Sequence, residues 1–270
     1  KKWHCKLIFA VFRIFFIYFL GANINNYMEN QPRGKAPLVC LFDSGIGGLN
    51  LLRACSVRMP YVNFCYFADN YNVPYGNLCE GEIRRLVFSA FSQIAALCPD
   101  AAAVACNTVT AECVHELRRV FPFPVVGVEP AVKQAFEYGG KYLVLATEAT
   151  CKSAAFFKLL SKYGKGAEVH AMKSLAGDIE RNIFSLDKAA LASRLPQGNF
   201  SSVVLGCTHY IFIRDEIEKR YRCPVFDGMA GTADHLATIL GNSDHFSSER
   251  GKIRFFGGDF TKNKAVFERF

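Results

Sequence analysis

Ser202-Val203-Val204-Leu205-Gly206-Cys207-Thr208-His209 is a short apolar run that stops on a cysteine followed at once by hydroxyl and imidazole side chains. Ala101-Ala102-Ala103-Val104-Ala105-Cys106-Asn107-Thr108 follows the same plan half a chain earlier. An apolar run of this length bounded by polar residues predicts a buried parallel strand, and in open α/β sheets ligands lie just past the carboxyl ends of such strands. One occurrence would be an ordinary core strand with a buried cysteine. Two occurrences predict two like lobes, each offering one thiol to a cleft.

The rest of the chain alternates strand and helix around these two runs. Leu38 to Phe42 reads as a strand, and Asp43-Ser44-Gly45-Ile46-Gly47-Gly48 as a glycine-rich turn into a helix from Leu49. Val62 to Ala68 is a second strand, followed by a polar loop containing Tyr75, Gly76 and Asn77. Ile83, Leu86, Val87, Ala90, Phe91, Ile94 and Leu97 recur at the spacing of one buried helix face. Strands are expected at 125–128, 142–146, 168–172, 202–205, 225–226 and 253–256, with helices near 109–120, 131–138, 151–162, 188–195, 212–221 and toward Leu240. Alternation of this kind predicts an α/β fold of mostly parallel sheets flanked by helices. The expected division is 37–124 for one lobe, 125–223 for the other, and 224–270 as a return to the first.

Composition narrows the function. Half the residues are apolar (51%) and 21% are charged, as in a globular protein with ample core. The net charge of +8 owes about half its size to Lys1, Lys2, Lys6 and Arg13, which have no acid beside them. No basic stripe interleaved with aromatics follows, so nucleic acid is not an expected partner. Leu7 to Leu20 is nearly all apolar but is interrupted by Arg13 and falls short of the roughly 20 residues a membrane span needs. Residues 1–36 are therefore expected to be an extension outside the native fold, with Met28 as the natural start and no membrane as partner. Eleven cysteines, none spaced Cys-x-x-Cys, match neither a zinc site nor a redox couple and fit a reducing cytoplasm.

The chemistry available to these residues is proton transfer. A thiol has an ordinary pKa of about 8.5, within reach of neutrality. One thiolate can take a proton from carbon while a thiol on the opposite face returns another. The Asp43–Gly48 turn, at a helix N-terminus, suits a small zwitterionic anion better than a polyphosphate, because it carries Asp43 and lacks the Gly-Lys-Ser/Thr ending. Tyr75 and Asn77 are potential donors to a ligand carboxylate.

Asp43-Ser44-Gly45 with Gly47-Gly48, Pro74-Tyr75-Gly76, Ala105-Cys106-Asn107-Thr108, Gly127-Val128-Glu129-Pro130 and Leu205-Gly206-Cys207-Thr208-His209 together resemble the ordered motifs of the glutamate racemases, in the aspartate/glutamate racemase superfamily. The resemblance runs from about Pro37 to the C-terminus. It implies two pseudo-symmetric lobes with the substrate between them, and a two-base racemase that needs no cofactor and no metal. It implies that Cys106 deprotonates D-glutamate and Cys207 L-glutamate, with Asp43 and His209 assisting. Ser44, Tyr75, Gly76, Asn107, Thr108 and Thr208 would bind the substrate with Asp43 and His209. It further implies supply of D-glutamate for peptidoglycan, a cytoplasmic location and room for a homodimer. The chain departs from the family pattern at Ile211, where proline is usual, and over Met172 to Glu180. Glu180 is the candidate for the family's glutamate in that segment, but the preferred reading makes it a helix-surface residue. An aspartate racemase and a non-catalytic amino-acid-binding relative are the alternatives.

Overall fold

The computed structural model describes residues 36–241 and 249–270. The proposed extension and Met28 lie outside the described residues. Among the described residues nine strands form two separate parallel sheets. The first contains β1 (Leu38–Asp43), β2 (Asn63–Ala68), β3 (Ala101–Val104), β4 (Val125–Gly127) and β9 (Ile253–Phe256), in the order β4-β3-β1-β2-β9. The second contains β5 (Tyr142–Ala146), β6 (Ala167–Ala171), β7 (Ser202–Gly206) and β8 (Val225–Phe226), in the order β6-β5-β7-β8. Apart from β9, the two sheets repeat one strand order, with the first strand of each lobe between its second and third. The gap between first and third strands is the switch point at which such sheets bind ligands.

Side-chain alternation on β1 explains the two helical layers. Val39 and Leu41 point into a buried cluster with Leu51 and Leu52 of α1 (Leu49–Arg58) and Leu236 of α10 (Met229–Leu240). Cys40 and Phe42 point the other way, against Val87 and Phe91 of α2 (Glu80–Ala95) and Val109 and Cys113 of α3 (Asn107–Val120). β3 is made of small residues throughout, and all four are buried. On the neighbouring β1, the Phe42 ring meets Phe91 edge-on at 5.9 Å and Tyr75 at a tilt at 6.3 Å, each such pair contributing about 0.5–1.5 kcal/mol beyond its burial. Among the described residues every cysteine is a free thiol.

Several boundaries differ from the sequence expectation. Residue 125 was expected to open the second lobe, yet β4 pairs with β3 in the first sheet, Ala102 to Val125 and Val104 to Gly127. The return was expected from residue 224, yet β8 pairs with β7, and the chain rejoins the first lobe through α10, which packs on α1, and β9, which pairs with β2. The helix expected over 151–162 is two, α5 (Glu148–Lys152) and α6 (Ala154–Tyr163), because Thr147 and Ser153 each cap a new start by accepting from the backbone three residues on. The helix expected from 212 begins earlier as a 3-10 turn, Thr208–Ile213, before α9 (Arg214–Tyr221). The other helices are α4 (Val132–Tyr138), before β5, and α7 (Leu175–Asn182) and α8 (Lys188–Ser193), between β6 and β7, and the described chain closes with α11 (Phe260–Arg269).

Candidate active site

The two cysteines occupy equivalent places. Cys106 follows β3 and is the N-cap of α3; Cys207 follows β7 and is the N-cap of the 3-10 turn. Each is 7% exposed, so each thiol meets a nearly closed space. The two repeats also cross over. Thr208 of the second lobe donates from Oγ1 to Asp43 Oδ2 of the first at 3.3 Å. Thr108 of the first lobe shares a hydroxyl hydrogen bond with Thr147 of the second at 2.9 Å, and lies 3.4 Å from Thr150. In both directions the end of one lobe's third strand meets the end of the other lobe's first strand.

Asp43 ends β1 and is fully buried. Its Oδ1 accepts from the Gly45 amide at 2.7 Å. Burial raises its carboxyl to about 6, although the charge of His209 and the Gly45 amide pull the other way. Ser44 Oγ lies 3.6 Å from Cys106 Sγ. Burial, with the Asp43 charge adding to it, pushes the Cys106 thiol up to about 12 against the opposing Val109 amide and Ser44 hydroxyl. Cys106 therefore carries its proton at neutral pH.

On the Cys207 side an imidazole and a carboxylate lie next to the thiol. His209, buried, sits with Nδ1 4.0 Å from Cys207 Sγ and Nε2 2.8 Å from Glu180 Oε2. Burial alone would lower the imidazole, but the hydrogen bonds and charges of Cys207 and Glu180 outweigh it and hold His209 well above its ordinary value. Its two ring nitrogens face a sulfur and a carboxylate, which favour the charged form of the ring. Glu180 is 2% exposed, which corrects the helix-surface expectation. It shares the buried face of α7 with Leu175, Ala176, Ile179 and Ile183, the next residue. Burial would raise it, but His209, the Ile46 amide at 2.9 Å and Lys262 hold it down at about 2.

Two glycines permit this approach of the lobes. A Cβ at Gly47 would lie 2.3 Å from Thr208 Oγ1 and 2.8 Å from His209 Nδ1. One at Gly45 would lie 2.3 Å from Glu180 Oε2. The turn's amides at 45 and 46 are engaged by Asp43 and Glu180, so the anion expected there meets the protein's own carboxylates.

The remaining candidates divide. Tyr75 is buried, but its hydroxyl donates to Asp69 Oδ2 at 2.7 Å, and Asn77 is exposed, so neither side chain is aimed at a ligand as expected. Gly76 packs against Thr147, where a Cβ would come within 2.8 Å. Asn107 is buried and its amide donates to the Val128 carbonyl at 3.3 Å, leaving its backbone amide at the first turn of α3. Thr147 and Thr150 were missed. Ala146-Thr147 closes β5 as Asp43-Ser44 closes β1, and comparing the repeats strand by strand would have pointed to them. Among the described residues no group of three or more His, Cys, Asp and Glu side chains is arranged to hold a metal, and no helix is long and apolar enough to cross a membrane.

Two repeated α/β lobes with a buried thiol each are the architecture of a racemase class, and the comparisons agree. The Asp/Glu/Hydantoin racemase family profile matches residues 80–236. Glutamate racemase of Clostridium acetobutylicum is 35% identical over 240 residues, covering 84% of this chain and 91% of that one. Glutamate racemase 2 of Bacillus subtilis is 34% identical over 248 residues, covering 84% and 94%. The crystal structure of Escherichia coli glutamate racemase, in complex with L-glutamate and the activator UDP-MurNAc-Ala, superposes with a TM-score of 0.75 at 27% identity, covering 87% and 95%. The chain belongs to the glutamate racemases of the Asp/Glu/Hydantoin racemase family, a group of isomerases.

Proposed function

We propose that the protein interconverts L- and D-glutamate by direct proton transfer at Cα, without a cofactor, using Cys106 and Cys207 as the two bases. The observation that carries this reading is the placing of the two thiols at equivalent strand ends of repeated lobes, with a threonine one or two residues after each thiol bonded to the other lobe.

In the L-to-D direction, Cys207 Sγ as thiolate takes the Cα proton, and the electron pair of the broken C–H bond spreads into the α-carboxylate. The Cys106 thiol, protonated at rest, delivers its proton to the opposite face of the same carbon. One C–H bond and one S–H bond break and one of each forms, so nothing is consumed. Asp43, poised near neutrality at about 6, is placed to exchange the proton of the Cys106 side. His209 does the same for Cys207. The α-ammonium group of a bound amino acid would add positive charge near Asp43 and favour the anionic forms of the carboxyl and thiol groups around it. Ser44, Thr108 and Thr208 line the lobe junction as substrate-holding groups, with the backbone of Tyr75, Gly76 and Asn107. The reading includes a cytoplasmic homodimer supplying D-glutamate for peptidoglycan.

Chiral chromatography of L-glutamate and L-aspartate incubated separately with the protein tests it. Formation of D-glutamate at a rate far above that of D-aspartate is expected; preferential turnover of aspartate, or of neither, overturns it.

A further inference from the structure

The Glu180–His209 pair has a third member outside the second lobe. Lys262, on the first turn of α11, reaches across the lobe boundary so that Nζ meets Glu180 Oε1 at 3.0 Å and the Glu180 carbonyl at 2.7 Å. Asn70, in the loop after β2, donates to the same Oε1 at 3.0 Å. Asn263, fully buried beside Lys262, is bonded both ways to Asn70 at 2.9 and 3.2 Å, and the Asp259 amide donates to Asn70 Oδ1. The carboxylate that orients His209 is thus gripped by the C-terminal helix and the β2 loop, both of the first lobe.

Helix chemistry does not account for Lys262. A cation in the first turn faces the positive end of the helix dipole, so it weakens α11 locally. Asp259 already caps that helix, accepting from the Lys262 amide at 2.9 Å. Lys264 on the same helix shows the ordinary alternative, an exposed side chain 3.8 Å from Glu268. Lys262 instead carries its charge inward, its side chain 22% exposed, to a carboxylate that is 3% exposed.

We propose that Lys262, supported by Asn70 and Asn263, is a positioning residue for the Cys207 half of the reaction, fixing Glu180 as the anion that holds His209 against Cys207. The inference rests on the two-thiol reading. Without the Lys262 charge, Glu180 is held down less firmly and competes better for the His209 proton, so the positive charge next to Cys207 is lost or the ring turned.

The consequence is specific to one face. Mirror-image substrate and product have equal free energies in water, so a defect at Cys207 lowers kcat/KM equally in both directions. Isotope effects separate the faces. With Cα-deuterated substrates, Lys262→Met should raise the primary isotope effect on kcat/KM for L-glutamate, because the step at Cys207 becomes more limiting. It should lower the effect for D-glutamate, because bond breaking at Cys106 becomes less so. The accompanying fall in kcat/KM should be about tenfold to a hundredfold, the size expected for a hydrogen bond to a charged group. Lys262→Arg should restore both quantities, and Lys264→Met should leave them unchanged. Should Lys262→Met fail to fold, Lys262→Gln keeps a donor without the charge and is read the same way. Isotope effects that stay as in wild type, or move alike for both enantiomers, overturn the inference while leaving the two-thiol reading intact. Absence of Cα–solvent hydrogen exchange in the wild-type protein overturns both.

Discussion

Thr208 and Asp43 join the lobes directly: the Thr208 hydroxyl of one meets the Asp43 carboxylate of the other at 3.3 Å, inside a space closed to water. The bond places the loop that carries Cys207 against the strand end that neighbours Cys106. A substrate held there has one thiol on each side, and the consequences reach from chemistry to stability.

Replacing either thiol by hydroxyl should remove turnover. Cys106→Ser and Cys207→Ser are expected to lower kcat by about a hundredfold to ten-thousandfold each, the usual contribution of a positioned acid or base. Each variant should keep the wild-type melting temperature closely, since the replacement is small. Polarimetric assays of both enantiomers provide the check, and wild-type rates in either variant would contradict the two-base account.

Asp43 should leave its mark on stability as well as activity. Its carboxyl is raised from 3.8 to about 6, so its contribution is fully present below its unfolded value and is lost as pH rises through 6. The loss amounts to about 3 kcal/mol at most. Asp43→Asn should abolish that part of the pH dependence of unfolding between about pH 4 and 7. It should also flatten an acid limb of kcat/KM near pH 6. Denaturant unfolding at the two pH values decides it; equal pH dependence in both proteins would count against a buried, ionising Asp43.

Glu180 has the opposite sign. Lowered from 4.5 to about 2, it contributes stability above its unfolded value that is lost as pH falls through 2. Glu180→Gln should cost about 3 kcal/mol at pH 7 and progressively less toward pH 2. A variant as stable as wild type at neutral pH would mean that the carboxylate is not held as the structure places it.

The glycines offer a paired comparison. Gly47→Ala puts a methyl group 2.3 Å from Thr208 Oγ1 and 2.9 Å from the His209 amide, so the lobes must part, at about 1–3 kcal/mol and with a large fall in kcat/KM. Gly81→Ala, in α2 with nothing within 4 Å, should stabilise by a few tenths to about 1 kcal/mol. Thermal unfolding measured side by side should give shifts of opposite sign.

The sequence reached the thiols because strand and helix differ in period and because each cysteine follows an apolar run directly. Asp43, Thr108, Thr208 and His209 were singled out with them, lying at a strand end or within four residues of one. Glu180 was not. It belongs to a helix whose pattern shows which face is buried, but not that a carboxylate on that face finds His209 and Lys262 from distant parts of the chain. The assignment of β4 and β8 was missed on similar grounds, since a strand of two or three residues does not reveal its sheet. Tyr75 and Asn77 show the converse, where residue type suggested a donor and local packing directed one to Asp69 and the other to solvent.

The most direct test of the central claim is racemisation of L-glutamate in deuterium oxide, followed by mass analysis of the separated enantiomers at early times. Two thiols on opposite faces predict D-glutamate carrying deuterium at Cα while the remaining L-glutamate keeps its hydrogen. D-glutamate that retains the original hydrogen, or deuterium appearing equally in both enantiomers from the start, would contradict the account.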